Sequence, residues 1–82
     1  LFYGEKIMTT DRPLDALNAA RDKRVMIELK NKQKFSGLLK SFDIHINTVL
    51  EEAQELSDDN KPIRNMGKLF LRGDTIVLIS PE

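Results

Sequence analysis

No cysteine occurs in the 82 residues, which excludes disulfides and the usual zinc sites and fits a reducing compartment. No apolar run approaches the ~20 residues of a membrane span, and no charged-then-apolar leader resembles a signal peptide. The expected location is therefore cytoplasmic, with no membrane partner. Net charge is lacking too, since thirteen basic residues balance thirteen acidic ones. A neutral chain has no general electrostatic claim on nucleic acid. Any such affinity has to come from stacking and hydrogen bonds at a local site. Length is also in short supply: 82 residues make one domain with a small core, which disulfides, metals or oligomerisation commonly support. With disulfides excluded and neither cofactor nor metal expected, association of copies is the support left.

Charge is unevenly spread along the sequence. Arg21, Lys23, Arg24, Lys30, Lys32, Lys34 and Lys40 crowd the first half, and Glu51, Glu52, Glu55, Asp58 and Asp59 follow. Two solvated surfaces account for this. Residues 1–10 show no period, and Met8 offers a natural start. Thr10 and Asp11 are good cap residues, and Pro13 suits a first helical turn because its missing N–H would be unpaired there. The spacing predicts a short helix over 13–20, with Leu14 and Leu17 facing inward.

From Arg24 the period changes to two, Val25, Ile27 and Leu29 sharing one face of a predicted strand. Asn31-Lys32-Gln33 reads as a turn and 34–42 as the next strand, with Gly37 marking a bend or bulge. Residues 43–46 form a corner. Residues 49–56 are ambiguous: their propensity and spacing favour helix, whereas their neighbours favour strand. Residues 57–62 read as a polar loop, and 68–71 and 75–80 as short strands. The last of these is apolar on both faces, so a neighbouring copy is expected to cover its outer face.

Two stretches carry a resemblance. Phe35-x-Gly37-x-Leu39 followed by Phe42-Asp43-x-His45-x-Asn47-x-Val49-Leu50 resembles the first signature of the Sm and Sm-like (Lsm) proteins. Gly67-Lys68-Leu69-Phe70-Leu71-Arg72-Gly73-Asp74-x-Ile76-Val77 resembles the second. The likeness covers 13–81 and looks most like the archaeal, self-assembling members. It implies an N-terminal extension over 1–12 and a Sm-like domain over 13–82. That domain would be mainly β: a short α-helix on a strongly bent five-stranded antiparallel small barrel. The ambiguous segment becomes the third strand. The resemblance also implies a homo-oligomeric ring, most often a heptamer and otherwise a hexamer, in which the fourth strand of one subunit pairs with the fifth of the next. One position departs from the family, which often has glycine after the asparagine of the first hairpin. Here Lys32 follows Asn31, so Asn31 is expected to take the left-handed conformation.

By similarity to the family, His45, Asn47 and Arg72 carry uridine binding, supported by Gly73 and Asp74. Their chemistry fits that role. A flat imidazole and a flat guanidinium from adjacent loops can sandwich a base, at ~1–3 kcal/mol per base. The Asn47 amide offers a donor and an acceptor to the Watson–Crick edge of uracil. Asp74 is expected to orient Asn47 or Arg72, and Asp43 to stabilise its own corner. Phe35, Phe42 and Phe70 are assigned to core or interface packing. Two functions remain open: a non-catalytic ring binding U-rich single-stranded RNA as scaffold or chaperone, or a small-barrel module that joins proteins. On the second, His45 is a turn residue and Arg72-Gly73-Asp74 a plain tight turn. A metal or hydrolytic site on Asp43, His45 and Asp74 is disfavoured, because the chain has one histidine and no phosphate-cradling glycine loop.

Overall fold

The computed structural model describes residues 12–82. Thr10 and Asp11, the start at Met8 and the proposed 1–12 extension, apart from Arg12, lie outside them. Helix α1 spans Pro13–Ala19, with Pro13 at its first turn and Arg12 at the N-cap without a side-chain bond. Leu17 packs against the core, but Leu14 does not point inward as expected. It is 37% exposed, while Leu17 and Ala20 take the places against the core.

Five antiparallel strands follow: β1 (Arg24–Leu29), β2 (Lys34–Phe42), β3 (Thr48–Leu56), β4 (Pro62–Leu71) and β5 (Ile76–Pro81). They form a single sheet in the order β4-β3-β2-β1-β5. In β1, Val25, Ile27 and Leu29 are buried while their neighbours are half-buried, the alternation of a strand with one covered face. Phe35, Leu39, Leu50, Ala53 and Leu71 complete the core. Residues 49–56 are strand, so tertiary pairing overrides their helical propensity.

The sheet bends where β2 crosses β3. Between Ser36↔Gln54 and Leu38↔Glu51 the register slips, and Glu52 takes φ 51°. An extra residue on one strand curls it away from flatness. Gly37 sits opposite, where a Cβ would lie 3.1 Å from the Glu51 carbonyl oxygen and 3.2 Å from the Ala53 Cα. A side chain at this position would press on the backbone of β3, so glycine suits the bend.

Two expectations need correction. The first hairpin places Lys32, not Asn31, in the left-handed region, at φ 76°. Asn31 instead closes the turn with its side chain: Oδ1 accepts the Gln33 N–H at 3.0 Å, and Nδ2 donates to Gln33 Oε1 at 2.9 Å. Strand β4 also begins six residues earlier than the predicted 68–71. Its first half pairs with β3 through Gln54↔Asn65, Glu55↔Arg64 and Leu56↔Pro62. An Arg64–Glu55 ion pair at 2.7 Å crosses that ladder. Residues 62–65 are exposed, and Pro62 and Ile63 are followed by two polar residues, so no apolar alternation marks them in sequence. No helix among the described residues is long and apolar enough to cross a membrane.

Candidate nucleic-acid interface

The register of the sheet brings the two polar corners together. Thr48 pairs with Leu71 and Val49 with Phe70, so the corner before β3 and the corner after β4 lie at the same end of adjacent strands. The first corner is Asp43–Asn47. The second begins at Arg72 and makes one 3-10 turn over Gly73–Thr75.

Asp43 organises the first corner through its carboxylate. Oδ1 accepts the His45 N–H at 2.9 Å and the Asn47 N–H at 3.1 Å, and Oδ2 accepts from Asn47 Nδ2 at 3.1 Å. The Asn47 side-chain hydrogen bond, with the two backbone N–H groups, holds this carboxyl below its ordinary pKa. The corner also contains Ile46 at φ 63°, a conformation that costs a β-branched residue roughly 1–2 kcal/mol. The Thr48 hydroxyl donates to the Ile46 carbonyl at 2.7 Å.

The corners touch through backbone. The Gly73 N–H donates to Asn47 Oδ1 at 2.8 Å. A Cβ on Gly73 would fall 1.8 Å from the His45 carbonyl oxygen and 2.8 Å from the Ile46 carbonyl carbon. Only glycine permits this approach. His45 and Arg72 therefore project from peptides in direct contact. Asp74 pairs with Arg72, Nη2 to Oδ2 at 3.1 Å, and does not orient Asn47, which Asp43 and Gly73 already hold. Both partners of the Arg72–Asp74 pair are well exposed, so it directs the guanidinium while contributing little stability. Thr75 bonds the Arg72 carbonyl through its hydroxyl at 2.7 Å, and its own carbonyl accepts the Lys30 N–H at 2.8 Å.

A depression of about 370 Å³ opens beside the corners, and Asp43, Asn47 and Arg72 line it together with Phe42 and Phe70. The His45 side chain is exposed and lies outside that lining. Of the three aromatics assigned to packing, Phe35 is buried and Phe42 lies under the Arg21 guanidinium at 5.2 Å. Phe70 is 72% exposed on edge strand β4. Sequence reading missed Ile46, Thr48 and Thr75. A hydroxyl residue beside each corner was the only available signal, and it is a common one. Among the described residues no group of three or more His, Cys, Asp or Glu could hold a metal ion.

The family profile described as the LSM domain matches residues 15–81. An snRNP Sm-like protein of Methanococcoides burtonii is 44% identical over 71 residues, covering 87% of this chain and 97% of that protein. Among solved structures, the Sm protein of Pyrococcus abyssi in complex with a uridine heptamer superposes with a TM-score of 0.82. It is 39% identical and covers 88% of this chain and 100% of that one. The P. aerophilum SmAP1 heptamer gives 0.79 at 33% identity, over 85% of this chain and 92% of that one.

Proposed function

Since the chain belongs to the LSM domain family of Sm-like proteins, we propose that it binds U-rich single-stranded RNA without catalysis. Each subunit of a homo-oligomeric ring, most often a heptamer, offers one uridine pocket. In each pocket His45 and Arg72 stack on the base and Asn47 reads its edge. The ring serves as scaffold or chaperone for the RNA it holds.

The observation that carries this reading is the doubly anchored Asn47 amide. Its Nδ2 is committed to a carboxylate, which only accepts, and its Oδ1 to a backbone N–H, which only donates. The amide is thus unable to flip. One N–H and one lone pair remain for a ligand, in a fixed order. Uracil offers an N3–H beside a carbonyl oxygen, which matches that order. Cytosine offers the reverse, an acceptor nitrogen beside an amino group.

Further support comes from the two solved relatives, one holding a uridine heptamer and one a heptamer itself. The sheet is also left open at β4 and β5, where Phe70, Val77 and Leu78 stand exposed. Repeating a weak pocket around a ring gives avidity to any RNA that reaches several of them. A neutral subunit then holds RNA without a basic face.

Fluorescence anisotropy with oligo-U and oligo-C at one fixed salt tests the reading. The expected result is a clear preference for oligo-U, and equal, negligible binding to both would leave the protein-joining module. His45→Ala and Arg72→Ala should each lower uridine affinity by roughly 1–3 kcal/mol per occupied pocket, with assembly unchanged. A ring lost in those variants would make the two side chains structural.

A further inference from the structure

Of the five non-glycine residues with positive φ among the described residues, Ile46 is the one that is β-branched. Asp22 and Asn60 belong to types that visit this region readily. Lys32 closes a hairpin, and Glu52 sits at the bulge that bends the sheet. Ile46 alone holds this conformation between two proposed ligand-binding residues, His45 and Asn47. Strained backbone persists only where its surroundings over-determine it.

The surroundings here are specific. The Ile46 N–H donates to the Asp43 carbonyl at 3.0 Å, and the next peptide N–H, that of Asn47, reaches Asp43 Oδ1. Gly73 packs against the Ile46 carbonyl carbon. The carbonyl oxygen of that peptide is gripped by the Thr48 hydroxyl at 2.7 Å. Thr48 is 2% exposed and is paired on both sides, with Phe42 on β2 and Leu71 on β4. The sheet thus delivers its hydroxyl from a fixed place, where water is not at hand to replace it.

We infer that Thr48 is a positioning residue for base recognition: its buried hydroxyl locks the left-handed Ile46 peptide and so aims the Asn47 amide. The inference rests on the uridine-binding reading above. Thr48 touches no base. It acts by keeping the Ile46–Asn47 peptide plane from rotating, which would swing the amide off the line that distinguishes uracil from cytosine. Stacking on His45 and Arg72 does not depend on that plane to the same degree. The loss should therefore appear in discrimination between bases rather than in binding of every base alike.

The test compares oligo-U with oligo-C affinity for the full chain and three variants at one salt concentration. Thr48→Val keeps the shape of the side chain and removes the hydroxyl. It should lower the U-to-C affinity ratio by roughly three- to tenfold, the scale of one hydrogen bond. Thr48→Ser restores the hydroxyl and should restore the ratio. Ile46→Gly adopts the same φ without strain, so added to Thr48→Val it should let the corner keep its backbone while the hydroxyl stays absent, and the ratio should stay as low as in Thr48→Val. This variant keeps the inference testable even if Thr48→Val fails to fold. A wild-type ratio in Thr48→Val or in the double variant, or an equal loss for both oligomers, overturns the positioning role alone. A wild-type protein that does not prefer oligo-U overturns the uridine-binding reading, and the positioning role with it.

Discussion

Asp43 holds two backbone N–H groups and one side-chain amide with a single carboxylate, and the ionised form accepts all three more strongly than the protonated one. Its pKa is depressed below the ordinary 3.8, chiefly by the Asn47 side chain. A carboxyl depressed in the folded state contributes stability above its unfolded value and loses it as pH falls through the folded one. The order of the corner should therefore survive acidification through 3.8 and fail below it. The Asn47 side-chain amide signal, followed by NMR during acid titration, checks this. A midpoint at or above the ordinary aspartate value would show that Asp43 does not hold the corner. At this scale the sequence was informative about residue types and mute about partners. Asp43, His45, Asn47, Arg72 and Gly73 are visible as polar punctuation between apolar runs. That Gly73 must be bare, because the His45 carbonyl fills its place, depends on the register of two strands.

Among the elements, β1 was legible because one of its faces is buried, and burial writes period two into the sequence. The first half of β4 was not, since an edge exposed on both faces carries no such period. Residues 49–56 stayed ambiguous from pattern alone for another reason: glutamate-rich composition favours helix locally, while strand pairing on both sides decides. At the first hairpin, the expected left-handed residue was displaced by one position, because Asn31 spends its side chain on Gln33. Lys32 then carries the unfavourable φ. Relief of that strain should exceed the added chain entropy of glycine, so Lys32→Gly should stabilise the fold by about 0.5–1 kcal/mol. Urea unfolding measures it, and a lower midpoint with an unchanged slope would contradict it.

For the whole molecule, the two ends of the sheet are its unfinished business. Among the described residues, strands β4 and β5 each have one unpaired side, and Val77 on β5 is 58% exposed. On the proposed ring, a charge at this position meets the neighbour's apolar edge. Val77→Asp should release monomers or aggregate, read as a changed native mass by light scattering, and an unchanged mass would remove β5 from the joint. On the proposed ring the two differing ends join head to tail, which closes into a circle or runs on as a filament according to the angle of each step. The bend at Gly37 and the Glu52 bulge, away from either end, would then help to set that angle. Each subunit is in this sense a wedge, whose taper decides how many complete the circumference. A substitution at the crossing could alter that tally while leaving every joint chemically intact.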